Sequence, residues 1–69
     1  MAYIDLVLDN NQLVRIEVPG NFEAECYEAI DNAIKQQDSW SPNMFEGCRA
    51  TLNGLMVSRV YMNRVVGML

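Results

Sequence analysis

Apolar and polar residues alternate in the first eighteen positions of the chain. The alternating apolar residues are Ile4, Leu6 and Leu8 and, after a polar turn, Val14, Ile16 and Val18. A period of two is typical of a strand that buries one face, so this region predicts two strands joined in a hairpin. A three-residue loop over Asp9–Asn11, with its last residue left-handed, keeps both apolar sets on one face. The same register sets Asp5 opposite Arg15.

The spacing of apolar residues becomes helical after Pro19-Gly20. Over residues 22–37 one arc is apolar and consists of Phe22, Cys26, Tyr27, Ala29, Ile30, Ala33 and Ile34. The opposite arc is polar, which predicts an amphipathic helix, and Asp31 with Lys35 forms an i,i+4 pair on it. Asn21 favours an N-cap position, so we expect the helix to begin directly after it.

A loop is predicted to follow the helix over residues 37–47. Pro42 lies between two polar residues there and breaks any helix. The loop still contains three large apolar residues, Trp40, Met44 and Phe45. We expect them to pack against one end of the core.

Asn53-Gly54 is the clearest turn signal in the second half of the chain. It predicts a type I′ hairpin that pairs Leu52 with Leu55 and Ala50 with Val57. Strands of the second hairpin are expected over residues 48–52 and from Leu55 onward.

The apolar phase shifts twice beyond this hairpin, which predicts a bulge or kink between Ser58 and Arg64. A short strand at Val65–Leu69 is then favoured over a short helix from Tyr61, because valine and glycine are poor helix formers. The predicted order is β-β-α-β-β, an α+β fold. One helix packs on one face of an antiparallel sheet of four strands, or five with the last segment. Residues 1–69 are expected to form a single domain, since no linker divides them.

Charge is distributed unevenly along the chain. Residues 1–46 contain all nine acids and two of the five basic residues, whereas residues 47–69 contain three arginines and no acid. The net charge of −4 therefore combines an acidic first part with a basic tail. Such a chain presents separate acidic and basic faces, unless the charges simply solvate the outer faces of a small fold.

The residues that most enzymes need are missing. Histidine is absent, no serine or cysteine has an activating partner, and the four glycines are too scattered for a phosphate-binding loop. We therefore predict a non-enzyme without catalytic, cofactor-binding or metal-binding residues. Cys26 and Cys48 have no CxxC spacing and are expected to be free core residues rather than a disulfide. Together with the absence of a long apolar run, this predicts a cytoplasmic protein without a membrane span.

Protein binding is the function class that these exclusions favour. Glu25, Glu28 and Asp31 form an acidic ridge on the predicted helix, and a solvated or partner-binding ridge is expected there rather than a cation site. Interfaces also enrich tryptophan, tyrosine, arginine and methionine, so Trp40, Arg59, Tyr61 and Arg64 are further candidates for partner contact. Trp40 and the five methionines could instead fill the core. We predict a non-catalytic interaction module that binds a protein, with a homodimer as a further option.

The main alternative is a nucleic-acid-binding accessory subunit. The C-terminal half mixes basic and aromatic groups, as sheet-based binders do, in Arg49, Arg59, Tyr61, Asn63 and Arg64. Three arginines in a chain with a pI near 4.4 are few for phosphate binding, so nucleic acid is not the favoured partner. The opposing expectation is that the arginines pair with acids of the helix or the first hairpin. A homo-oligomeric structural protein is the third alternative.

In size and charge alone, the chain resembles the small acidic inhibitors that phages and other mobile elements encode against host machinery, anti-CRISPR proteins among them. The resemblance implies inhibition of a nucleic-acid-handling or anti-phage defence complex. The acidic ridge would then compete with nucleic acid for a basic groove.

Overall fold

The structure, a computed structural model, describes residues 2–42 and 45–69, with one helix packed on a five-stranded antiparallel sheet. Its elements in chain order are β1 (Ala2–Leu8), β2 (Leu13–Val18), α1 (Glu23–Lys35), β3 (Ser39–Trp40), β4 (Arg49–Leu52), β5 (Leu55–Val57), β6 (Val60–Tyr61) and β7 (Val65–Met68). The large sheet has the order β5-β4-β2-β1-β7, and β3 pairs with β6 in a small second sheet. The predicted α+β fold is confirmed.

The first hairpin has the predicted register. Leu6 pairs with Val14 and Asp5 with Arg15 across β1 and β2. Asn11 is left-handed, with φ 66°, and its N–H donates to the Leu8 carbonyl at 3.0 Å. The three-residue loop keeps the apolar set of each strand on one face, and that face becomes the core side of the sheet.

The helix begins one residue later than predicted. Gly20–Phe22 form a 3-10 turn in which the Phe22 N–H donates to the Pro19 carbonyl at 2.9 Å, and α1 then begins at Glu23. Phe22 is the N-cap and makes no side-chain capping bond, so the N-cap predicted at Asn21 is wrong. The 3-10 turn occupies the position that a side-chain cap would take. Glu23 and Glu25 lie in the first turn of α1, where their negative charge interacts favourably with the helix dipole.

The core lies between α1 and the inner face of the large sheet. Its buried residues are Ile4, Leu6, Leu8, Val14, Ile16, Val18, Cys26, Ile30, Trp40, Ala50, Val60 and Met62. The alternating residues of both first strands and the centre of the predicted apolar arc of the helix are therefore all buried. Burial of this apolar surface is the main source of stability in a domain of this size.

The segment after α1 is only partly a loop. Left-handed Gln37 ends the helix, and Ser39–Trp40 then form β3 against Val60–Tyr61 of β6. Sequence periodicity missed this pair because a two-residue strand has no period. Phe45 is half-buried with its ring 6.1 Å from that of Phe22, as expected of a residue that covers the core. Met44, for which burial was also predicted, lies outside the described residues.

The second hairpin and the kink after it are confirmed. Leu52 pairs with Leu55 and Ala50 with Val57, around a turn in which Asn53 and Gly54 both have positive φ. The kink consists of β6 followed by a 3-10 turn over Met62–Arg64. Beyond it the chain extends again as β7, which is the predicted fifth strand and pairs with β1.

Candidate functional site

The open face of the large sheet carries charges that cancel one another. Arg15 donates two hydrogen bonds to the Asp5 carboxylate, at 2.9 and 3.0 Å, and Arg49 pairs with Glu17 at 3.0 Å. The hydrogen bonds from Arg15 lower the pKa of Asp5 below its ordinary value. Arg15 also lies 4.9 Å from the centre of the Tyr3 ring, a cation-π distance. This face therefore has polar and aromatic groups but no surplus of either charge.

The arginines of the tail are largely neutralised by the first hairpin. Besides the pair between Arg49 and Glu17, Arg64 contacts the Asp9 carboxylate at 3.2 Å. The expectation that tail arginines pair with acids of the first hairpin is thus correct for both residues. The uneven charge along the sequence does not become a separate basic face in the structure.

Surplus negative charge remains on and near α1. Among the predicted ridge residues, Asp31 is paired with Lys35 at 3.0 Å, whereas Glu25 and Glu28 are exposed and make no ion pair in the described chain. The acids without an ion pair are Glu23, Glu25, Glu28, Asp38 and Glu46, and among the described basic residues only Arg59 has none. These five acids and one arginine account for the net charge of −4.

The exposed side of α1 combines acids with one aromatic ring. Tyr27 is half exposed and lies one helical turn after Glu23 and one turn before Asp31. An open groove at the start of the helix runs past Gly20, Glu23, Glu25 and Tyr27. The groove is shallow and acidic, which is the form of a contact surface rather than of an enclosed ligand site.

Arg59, Tyr61 and Arg64 are brought together around one small pocket. It has a volume of about 100 Å³ and lies where β5 passes into β6. Its apolar lining residues are Leu8, Val14, Leu52, Val57 and Val60. The three predicted tail residues therefore share one site, in which an apolar interior meets two guanidinium groups.

Trp40 is in the core and does not form part of any exposed surface. Only 3% of the residue is exposed, because β3 pairs with β6 and packs beside α1. Its indole Nε1 has no hydrogen-bond acceptor among the described residues. The prediction that Trp40 contacts a partner is therefore not supported in this conformation, and the alternative that it fills the core is correct.

The edges of the large sheet expose apolar side chains that sequence reasoning had not selected. Leu55 and Met56 of edge strand β5 are 73% and 72% exposed, and Val66 of edge strand β7 is exposed as well. The sequence did indicate that Met56 lies away from the core, because Leu55 and Val57 share one face of the predicted strand and Met56 lies on the other. Exposed apolar edges are sites at which a further strand can pair.

The described residues contain no group of three or more His, Cys, Asp or Glu side chains arranged to hold a metal ion. Their cysteines are a close pair of free thiols, with Cys26 Sγ and Cys48 Sγ 3.8 Å apart. Burial raises the pKa of Cys26 to about 12 and raises that of Cys48 as well. Burial therefore disfavours the thiolate form of both side chains.

No protein-family model matches the chain, and no curated protein or solved structure is significantly similar to it. Within residues 2–42 and 45–69, no helix has the length and hydrophobicity needed to span a membrane.

Proposed function

We propose that the protein is a non-catalytic interaction module that binds a basic surface of a partner protein through the exposed side of α1. The observation that supports this is the location of unpaired charge. Four of the five basic side chains are engaged by acids, while Glu25 and Glu28 project from the helix without a cation. A surface with one sign of uncompensated charge attracts a partner surface of the other sign and orients its approach.

The geometry of the helix suits such a contact. Residues three apart on a helix are surface neighbours, so Glu25 and Glu28 present two carboxylates side by side. Tyr27 adds an amphipathic ring on the adjacent flank, and tyrosine is enriched where interfaces are tight. An arginine-lined groove on a partner is the complementary surface, because a guanidinium group binds a carboxylate through two parallel hydrogen bonds.

A groove of this kind is what proteins use to hold nucleic acid, so we further propose that the partner is a nucleic-acid-handling complex. Binding of α1 there would exclude the phosphate backbone by occupying the same cations. Inhibition encoded by a phage or other mobile element, directed at a host complex such as a CRISPR effector, is the form of this function that the size and charge of the chain fit. The free thiols fit a cytoplasmic setting.

The test compares three baits in affinity capture from a lysate of the host organism, with quantitative mass spectrometry. The E25Q/E28Q variant removes two acids of α1. The matched control, D38N/E46Q, removes the same charge from acids that also lack ion pairs but lie outside α1. We expect a partner that binds wild type and control, is lost with E25Q/E28Q, and is released by added double-stranded oligonucleotide. Equal capture by all three baits would contradict the proposal.

The alternative function, a nucleic-acid-binding subunit, is favoured by one observation, the convergence of Arg59, Tyr61 and Arg64 around a single pocket. Its test is fluorescence anisotropy with a labelled single-stranded oligonucleotide over a range of salt concentrations. Binding that weakens steeply with salt, and that R59Q reduces, supports it. No binding at low salt excludes it and leaves the acidic surface of α1 as the candidate.

Self-association is favoured by the exposed apolar edge of β5. Light scattering with size-exclusion chromatography separates this case from the others, since a dimer formed through the edge would dissociate when Met56→Lys places a charge on it. A monomer at all concentrations removes this candidate.

A further inference from the structure

We propose that Cys26 and Cys48 form an oxidisable thiol pair, which a hydroperoxide converts into a reversible disulfide between α1 and the entrance of β4. This inference is independent of the proposed function. It concerns a modification site in the core that the interaction surfaces do not use.

The first support is proximity. Cys26 lies in the second turn of α1 with 0% of the residue exposed, and Cys48 immediately precedes β4. Their sulfurs are 3.8 Å apart, against about 2.0 Å in a disulfide. Rotation of one cysteine side chain can cover this difference. No third partner competes for either sulfur among the described residues.

The backbone holds Cys48 in this place. Gly47 has a positive φ of 80°, and a Cβ added there would meet Pro19 at 3.0 Å. The Cys48 N–H donates to the Phe45 carbonyl at 3.2 Å and closes the turn. The thiol is thus presented to the helix by a defined turn rather than by a chance side-chain position.

Access is the second support. Cys48 is half-buried and lines a surface pocket of about 210 Å³ with Pro42, Arg49, Met56 and Ser58 among its other residues. A small hydroperoxide fits such a pocket, whereas Cys26 lies behind Cys48 and is closed to solvent. Cys48 is therefore the attacking thiol and Cys26 the resolving one.

Burial raises the pKa of both thiols, and the hydrogen bond with Cys26 partly opposes this rise at Cys48. The order of attack follows from access, since Cys48 lines the pocket whereas Cys26 has no exposed surface.

The reaction balances with a hydroperoxide as the oxidant. The Cys48 thiol gives up its proton, and its sulfur attacks the terminal oxygen of the hydroperoxide and breaks the O–O bond. The leaving oxygen takes up a proton in place of the one the thiol released, which gives a sulfenic acid and an alcohol, or water when the oxidant is hydrogen peroxide. Cys26 then attacks the sulfenic sulfur, and the hydroxyl group leaves as water with the Cys26 proton. Two thiols are oxidised and one hydroperoxide is reduced, and a thiol reductant reverses the bridge by exchange.

The test treats the full chain with hydrogen peroxide, in native buffer and in urea, and follows intact mass and peptide maps. We expect the native chain to lose the mass of two hydrogen atoms and to yield a peptide that links Cys26 to Cys48, restored by dithiothreitol. Met56, in the same pocket, is scored separately as its sulfoxide. Among chains whose Cys48 has been oxidised, the fraction that bridges within one molecule should be at least several-fold higher in the native state than in urea, because the fold holds the two sulfurs together.

The variants separate the two roles. In C26A, dimedone should trap a sulfenic acid at Cys48, whereas in C48A the remaining Cys26 should resist both peroxide and dimedone. Native wild type that stays reduced, oxidises at Cys48 beyond the sulfenic acid without bridging, or joins separate molecules would overturn the proposal. The wild-type measurement alone decides this even if a variant fails to fold.

Discussion

The two faces of the large sheet are made by the same strands but stabilise the protein in different ways. On the covered face, every alternating residue of β1 and β2 from Ile4 to Val18 is at most 5% exposed. On the open face, the intervening residues are a mixture of half-exposed apolar groups and ion pairs such as Asp5 with Arg15. The covered face provides the burial that folds the chain, and the open face mainly keeps its charges paired.

This difference determines where unpaired charge is left. Acids of the sheet and the first hairpin neutralise Arg15, Arg49 and Arg64. Three acids of α1 therefore face solvent without an ion pair, namely Glu23, Glu25 and Glu28. Charge balance on the sheet is therefore the reason that the unpaired acids lie on and near the helix.

The largest expected effect comes from truncating the covered face. Ile16→Ala removes a side chain with no exposed surface, between Ile4 of β1 and Ala50 of β4, and should cost about 2–5 kcal/mol of unfolding free energy. Leu13→Ala in the same strand is the control on the open face. Leu13 is 46% exposed, so its truncation should cost about 1 kcal/mol or less. Urea denaturation measures both, and equal losses would show that the two faces do not differ as described.

Trp40 should give an effect of similar size, and its Nε1 is the unpaired polar atom of the core among the described residues. Trp40→Ala should cost about 3–5 kcal/mol through the cavity it leaves. Trp40→Phe should cost clearly less, since it also removes the Nε1–H, whose unpaired burial opposes folding by about 1–3 kcal/mol. Denaturation of both variants checks this. Similar losses would mean that Nε1 finds an acceptor in solution.

Alkaline pH should lower the free energy of unfolding because it favours ionisation of Cys26 in the core. The folded pKa of Cys26, about 12, lies above that of an unfolded thiol, near 8.5. The stabilisation that comes from burying a neutral thiol is therefore complete below about pH 8.5 and is lost as pH rises toward 12. Unfolding free energy should fall by up to ~1.4 kcal/mol per pH unit above about pH 9. C26A should show a shallower alkaline decline, measured by urea titration under reducing conditions. An identical slope would assign the decline to other groups.

The smallest effect is expected from the ion pair between Asp5 and Arg15 on the open face. The folded pKa of Asp5 is lowered, so the pair contributes above the unfolded value near 4 and is lost as pH falls through the folded value. Asp5→Asn should therefore be slightly less stable than wild type at neutral pH and equal to it in strong acid. Chemical denaturation at both pH values tests this, and a difference that persists in acid would point to packing rather than charge.

Local patterns predicted most of the elements, and non-local pairing accounts for most of what they missed. Both hairpin registers follow from neighbouring residues, namely apolar alternation and the turn residues Asn11 and Asn53-Gly54. The sheet order does not follow from them, because nothing in the period of β1 says that β7 will pair with its second edge. The β3–β6 pair was missed for the same reason.

The candidate site shows a similar division. The helical period correctly placed Glu25 and Glu28 on the exposed side of α1, because a face opposite an apolar arc faces solvent. The same period predicted the ion pair between Asp31 and Lys35, which the structure confirms at 3.0 Å. It did not reveal that Arg64 would reach Asp9 from a distant part of the chain. Trp40 was ambiguous because aromatic residues suit both cores and interfaces, and only the position of β3 decides between them.

The place of β1 between β2 and β7 has a consequence for biosynthesis. β1 leaves the ribosome before β7, so one of its edges stays open until residues 65–68 emerge and Leu69 N–H reaches the Asp5 carbonyl at 2.8 Å. Closing so long a loop is slow, and an unpaired apolar strand is prone to aggregation in the meantime. Translation speed through the codons between β1 and β7 therefore sets how long the nascent chain is exposed to misassembly.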